Sequence, residues 1–228
     1  MIKFYYNLAP NPMKVALCLE EMGLPYEPIP IDSRKGEQHA PAFRSVNPNG
    51  KVPAIVDGEA TVFDSNAILI YLGEKTGKFV PASKPALRGE LLSWMMFIAS
   101  GIGPFSGQAV HFKRAAPEQI PYAVSRYDFE ARRHWGILNA RLESRRFLVG
   151  EDYSIVDMAL WGWERALPNV FGDGWAAEFP NVQRHFDEIG ARPAATRAAA
   201  LKDRHSFKTE MDEEARLHMF PHLKASAA

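Results

Sequence analysis

Around residues 76–85 the hydrophobic pattern changes its period, and that change constrains the fold more than any other feature of the chain. Before it, strand-like and helix-like segments alternate. Ile2–Tyr6 is aromatic and β-branched, as a buried strand should be. Asn11 followed by Pro12 reads as an N-cap with proline at the first helical position. That helix is expected to reach Met22, with Gly23 ending it. Residues 26–31 read as a second strand, placed at a sheet edge by Pro28 and Pro30. A short helix over 41–46 and a turn at Asn47-Pro48-Asn49-Gly50 follow. Residues 52–56 and 61–63 are expected to form a hairpin across Asp57-Gly58. Asp64 or Ser65 then caps a helix with Ile68, Leu69 and Leu72 on one face. Beyond residue 85 only helical periods remain, over about 87–99, 123–143, 154–167, 181–189 and 194–202. The expected organisation is an α/β domain (βαβ-α-ββα) over 1–78, a linker over 79–85, an all-α domain over 86–203 and a tail over 204–228.

Composition narrows the function. The chain has 228 residues and equal numbers of basic and acidic side chains, 27 of each. Zero net charge argues against nucleic acid as the main partner, because phosphate neutralisation needs a basic face. The single cysteine, Cys18, excludes an intramolecular disulfide and disfavours a thiolate metal site. The seven histidines show no metal-ligand spacing, so no metal is expected. No run reaches the roughly 18 apolar residues of a membrane span. The first six residues turn polar at Asn7, too soon for a secretory leader, so a cytoplasmic location is expected.

Three places carry residues suited to chemistry. Asn11 stands where a helix begins at the end of the first strand. Free N–H groups and the helix dipole there favour an anion, including a thiolate. The plainer reading is a helix cap. In Lys51-Val52-Pro53 a proline enters a strand directly after a turn. A cis bond there would turn the Val52 backbone outward, toward an extended peptide ligand. Asp64-Ser65 opens a helix with a carboxylate and a hydroxyl. That pair suits an amino-acid head group, and it also suits a cap.

Together these residues resemble the glutathione site of the glutathione transferases. The resemblance covers the chain up to about residue 203. It implies a thioredoxin-like first domain with a mixed four-stranded sheet and a cis Pro53. It implies that Val52 pairs with the backbone of glutathione, that Asp64 and Ser65 hold its γ-glutamyl end, and that Lys51 lies near its glycyl carboxylate. Gly103-Pro104-Phe105-Ser106-Gly107-Gln108, His111-Phe112, Ala116-Pro117, Ile120-Pro121-Tyr122-Ala123 and Arg126-Tyr127 resemble the bacterial nu-class branch, which is similar to the yeast nitrogen-regulator prion protein. Members of that branch reduce disulfides with glutathione and often lack a catalytic cysteine. The branch implies that Asn11 contacts the sulfur, that Gln38 contacts the glutathione backbone, and that Arg126 reaches a glutathione across a homodimer. Its usual Thr-Pro-Asn is here Ala9-Pro10-Asn11, so a hydroxyl donor to the thiolate is missing. The implied activity is reduction of small disulfides by bound glutathione. The alternatives are a non-catalytic glutathione-binding regulator and a conjugating transferase for one electrophile.

Other features have plainer readings. Tyr5 and Tyr6 invite comparison with tyrosine-type transferases, but strand alternation puts one of them in the core. Cys18 lies two turns into the first helix and reads as a buried small hydrophobe. Tyr153-Ser154-Ile155-Val156-Asp157-Met158 reads as a capping box, with Tyr153 stapling to Met158. Trp94, Phe97, Trp161 and Trp163 read as core before cleft.

Overall fold

The computed structural model describes residues 1–81 and 84–224. Ala82 and Ser83 of the expected linker, and 225–228 of the tail, lie outside the described residues. The first part runs β1 (Ile2–Tyr6), α1 (Pro10–Met22), β2 (Tyr26–Pro30), α2 (Pro41–Arg44), β3 (Ala54–Asp57), β4 (Ala60–Phe63) and α3 (Ser65–Thr76). The sheet order is β2-β1-β3-β4. β1 pairs in parallel with β2 and antiparallel with β3, and β3 pairs antiparallel with β4. The sheet is mixed and four-stranded, with β2 at one edge, where its prolines cost no ladder bonds.

The second part is helical: α4 (Pro85–Phe97), α5 (Gly103–Val110), α6 (Pro121–Arg141), α7 (Ile155–Glu164), α8 (Leu167–Phe171), α9 (Trp175–Glu178), α10 (Pro180–Gly190), α11 (Pro193–Ala199) and α12 (Glu213–Met219). Among the described residues no helix is long and apolar enough to cross a membrane.

Ile2, Phe4 and Tyr6 alternate inward from β1 onto α1, as a pleated strand dictates. α1 is buried almost all round because it is sandwiched between the sheet and the second domain. It packs on α3, α7 and α11. One hydrophobic cluster therefore runs from Phe4 through Leu17 and Leu72 to Val156, Leu160 and Ala198, and fixes the two parts relative to each other. Gly162 of α7 permits the close approach: a Cβ there would stand 2.6 Å from the Pro10 carbonyl oxygen.

Several boundaries differ from the sequence reading. The hairpin strands are 54–57 and 60–63, because the residues before Ala54 belong to the turn. α1 begins at Pro10, with Ala9 as its N-cap, so Asn11 is the second helical residue and not the cap. Both Pro10 and Pro12 fit the first turn, and local pattern favoured the wrong one. The Tyr153 ring lies against Phe79 and Phe147, at 5.6 and 5.7 Å between centroids. The tail is ordered through α12. Phe207 stands edge-on to Tyr6, and the Phe220 ring lies 4.8 Å from that of His111.

Candidate functional site

The start of α1 can be audited donor by donor. A helix leaves about four leading N–H groups without intrahelical partners. Here the Ala9 N–H donates to Asn7 Oδ1 at 3.0 Å. Pro10 and Pro12 have no N–H at all. Met13 N–H makes the first helical bond, to the Ala9 carbonyl at 3.3 Å. The Asn11 N–H is left, with no partner among the described residues. The terminus thus offers a single backbone donor, fewer than the sequence suggests, and it belongs to the residue singled out there.

The Asn11 side chain is oriented by the second domain. Its Oδ1 accepts the indole N–H of Trp163 at 3.0 Å. An indole nitrogen only donates, so the amide oxygen must face Trp163 and the amide NH₂ must face away. Asn11 thus presents a backbone donor and a side-chain donor, neither engaged among the described residues. Of the four aromatics weighed as cleft candidates, Trp163 is the one bonded to Asn11. Trp94 packs on Phe97, and Arg165 stacks on Trp161.

The Val52–Pro53 bond is cis. The sheet register begins at Ala54, and the Val52 backbone groups have no backbone partner among the described residues. Lys51 is exposed, and its carbonyl accepts from Asn47 Nδ2 at 2.6 Å. Asp64 is the N-cap of α3. It has φ 69°, a left-handed conformation that costs a non-glycine residue energy and that clusters at functional sites. Its Oδ1 accepts from the Asn66 and Ala67 N–H groups at 2.9 and 3.2 Å. Ser65 is buried, and its N–H has no partner among the described residues. Behind it stands Lys14, wholly buried, whose Nζ donates to Ser65 Oγ at 3.3 Å and Asn66 Oδ1 at 3.4 Å. Burial pulls the Lys14 ammonium down to about 7, against the opposing charge of Asp64. The sequence reading missed Lys14. The available signal was a lysine set between Met13 and Val15 on an otherwise apolar helix.

Gln38 is buried and fixed by the tail. Its Nε2 donates to the His218 carbonyl at 3.0 Å, and its Oε1 is buried without a partner. His39 Nε2 also meets that carbonyl, at 2.9 Å. Asp32 accepts the Lys208 N–H at 2.7 Å, and Arg34 donates to the Lys208 carbonyl at 2.7 Å. The tail thereby walls a cavity of about 380 Å³ at the start of α1, lined by Asn7, Ala9, Pro10, Asp32, Arg34 and Phe207 among others.

Arg126 is not gathered with these groups within one chain. It lies on α6, which packs on α5 and α10, and its guanidinium pairs with Glu130 at 2.9 Å. The Tyr6 hydroxyl donates to the Leu201 carbonyl at 3.3 Å and lies 2.9 Å from His205 Nδ1. Cys18 is fully buried. Its thiol reaches Met22 Sδ at 3.8 Å, and burial pushes it well above the usual thiol range.

Residues 2–74 match the family model of the glutathione S-transferase N-terminal domain, and residues 122–188 that of the C-terminal domain. The chain belongs to the glutathione S-transferase superfamily. It is 42% identical over 205 residues to the disulfide-bond oxidoreductase YfcG of Escherichia coli, covering 87% of this chain and 94% of that one. Its structure resembles a glutathione transferase from Burkholderia graminis, solved with two glutathione molecules per subunit. The TM-score is 0.83 at 39% identity, covering 90% of this chain and 89% of that one. A Pseudomonas putida glutathione transferase with one glutathione disulfide per subunit gives 0.81 at 34% identity, covering 86% and 90%.

Proposed function

We propose that this superfamily member is a glutathione-dependent disulfide reductase. One observation carries the reading: the one leading N–H of α1 without a partner among the described residues and an amide NH₂ turned away from Trp163 belong to the same residue, Asn11, on a helix that packs against α3. The site fits glutathione as its reducing substrate. Asp64 and Ser65 supply a carboxylate and two donors for an amino-acid head group. Val52 supplies unpaired backbone groups for an extended ligand, and Lys51 a cation for a terminal carboxylate. The buried, unpartnered Oε1 of Gln38 supplies an acceptor.

The chemistry needs no protein nucleophile. A free thiol of pKa about 8.5 is mostly protonated at neutral pH. Donors at Asn11 lower that pKa, and two units correspond to about 2.7 kcal/mol of differential stabilisation. The thiolate attacks one sulfur of a small disulfide, forming a mixed disulfide and releasing one thiolate. A second glutathione thiolate then attacks the mixed disulfide at the glutathione sulfur. Glutathione disulfide forms and the second half of the substrate leaves as thiolate. Two glutathiones lose the two electrons that the substrate gains. Similarity to a disulfide-bond oxidoreductase and to structures holding two glutathiones or one glutathione disulfide supports this order of events.

A homodimer in a reducing cytoplasm completes the reading. Tyr122 and Phe129 on α6, Met96 on α4 and Phe63 are large apolar side chains left exposed in one chain, and Arg126 lies on the same helix as two of them. The second reading, a glutathione-binding regulator without turnover, has Ala9 in its favour, since no hydroxyl stands there to donate to the sulfur. A paired assay separates the readings. Reduction of hydroxyethyl disulfide should exceed conjugation of an aryl halide. Glutathione binding without either activity would select the regulator, and no thermal shift up to several millimolar glutathione would remove both.

A further inference from the structure

Lys14 stands in the second turn of α1 at 1% exposure, and its two partners, Ser65 and Asn66, are neutral. A buried ammonium without an anion is costly, and an apolar residue of the same size would fit the surrounding core better. Among the described residues, Asp64 is the one acid whose charge acts on it. α3 brings Asp64, Ser65 and Asn66. α7 brings Gly162 against the Lys14 stem and Glu164, whose carboxylate bonds to His185 at 2.8 Å. α11 brings Arg192 and Arg197, which pair with Glu21 and Glu20 in the last turn of α1. Within α1, Cys18 is held protonated by burial, and on β1 the Tyr6 hydroxyl is engaged by Leu201 and His205. Asp64, at the exposed head of α3, is the charge that acts on Lys14.

An ammonium donates and cannot accept. With Lys14 charged, Ser65 Oγ must therefore accept from it, and the serine's own proton must point elsewhere. The Ser65 N–H is also free. Both donors belong to the first residue of a twelve-residue helix, whose dipole favours an anion at this end. We propose that Lys14 is the buried counter-charge of the α-carboxylate on the γ-glutamyl group, acting through the Ser65 hydroxyl. The inference rests on the glutathione reading of the site. Lys14 touches no substrate, so it is a positioning residue.

Proton linkage follows. Without ligand, burial holds Lys14 at about 7, so much of it is neutral at and above neutral pH. A carboxylate on Ser65 favours the charged form and raises that pKa in the complex. Binding then takes up a proton above pH ~7, and affinity falls as pH rises through the window between the free and bound values.

The test is calorimetry with S-methylglutathione, which has no thiol to ionise, in buffers of different ionisation heat between about pH 6.5 and 9. Wild-type protein should take up a larger fraction of a proton than Lys14→Met, while the ligand's own amine contributes equally to both. At the acid end Lys14→Met should bind about tenfold more weakly, a coupling of ordinary size, and the gap should close as pH rises. In a Ser65→Ala background, Lys14→Met should weaken binding no further, because the relay is already cut. Equal proton uptake in wild type and Lys14→Met, or an undiminished further loss in Ser65→Ala, would overturn the proposal and leave the glutathione reading standing. If wild-type protein does not bind S-methylglutathione, both fall. If Lys14→Met does not fold, proton uptake in wild type against Ser65→Ala decides the same point.

Discussion

α1 and α7 pack against each other with the start of α1 beside the end of α7, and their first turns are finished in opposite ways. At α7 every leading donor is used. Ser154 N–H goes to Asp157 Oδ2 at 2.8 Å and Ile155 N–H to the Phe79 carbonyl at 3.1 Å. Val156 N–H goes to Ser154 Oγ at 3.3 Å and Asp157 N–H to the Ser154 carbonyl at 3.2 Å. Asp157 Oδ1 also accepts Leu148 N–H at 2.9 Å and meets His185 at 3.2 Å. Burial works against charge on His185, but Glu164 and Asp157 outweigh it and raise the ring to about 10. At α1 the cap is an alanine with no side-chain acceptor, two prolines remove donors, and one N–H stays open. A buried terminus must satisfy all its polar groups, because each orphan costs 1–3 kcal/mol. A terminus that receives a ligand is left incomplete until the ligand arrives. The difference marks α7 as a folding element and, on the proposed function, α1 as a binding element.

Variants at the two termini should therefore separate stability from activity. The largest effect is expected from Asp157→Ala, which orphans two buried N–H groups and unbalances His185. Urea denaturation should show a loss of about 3–5 kcal/mol, with disulfide reduction per folded molecule unchanged. A stable variant without activity would put α7 in the chemistry and end the contrast.

Asn11→Ala should do the reverse. Losing a preorganised donor to a developing anion costs about 10²–10³ in rate. Asn11 is not the cap, so its stability cost is the Trp163 bond alone, about 1 kcal/mol. Steady-state rates and a thermal melt on the same preparation check both. Full activity would shift attention to the Asn11 backbone N–H as the sufficient donor.

The smallest effect is expected from Ser154→Ala. The N-cap hydroxyl is worth about 1 kcal/mol, and the Ser154 N–H keeps its bond to Asp157. A melt shifted by a few degrees with unaltered kcat is the expected result. A shift as large as that of Asp157→Ala would mean that the serine, not the carboxylate, organises this turn.

Much of this was legible in the chain. The change from mixed to purely helical periodicity gave the two-part architecture, because alternation of apolar residues is what lets each element bury one face. Asn11, Lys51, Val52, Pro53, Asp64 and Ser65 were singled out from turn and cap chemistry, which is local and so is written in adjacent residues, although Asn11 is the second helical residue and not the cap. The exact start of α1 was not legible, since two nearby prolines both satisfy the rule for a first turn. Lys14 was passed over because a lysine on a helix is exposed by default, despite its apolar neighbours Met13 and Val15. Only packing against α3 and α7 on both sides buries it.

The sequence by itself determined the four strands, the helices between them, most of the longer helices beyond residue 85 and the Ser154 cap, but not α5, α9, α12 or the cap of α1. Those preferences act over a few bonds and need no distant partner. The tertiary structure decided which donors remain open. Trp163 is 152 positions from Asn11 and His218 is 180 from Gln38. The direction of the Asn11 amide and the engagement of Gln38 exist only once α7 and the tail are docked. The same docking strips water from Lys14, and desolvation by neighbours from α3 and α7, not its own identity, shifts its ionisation.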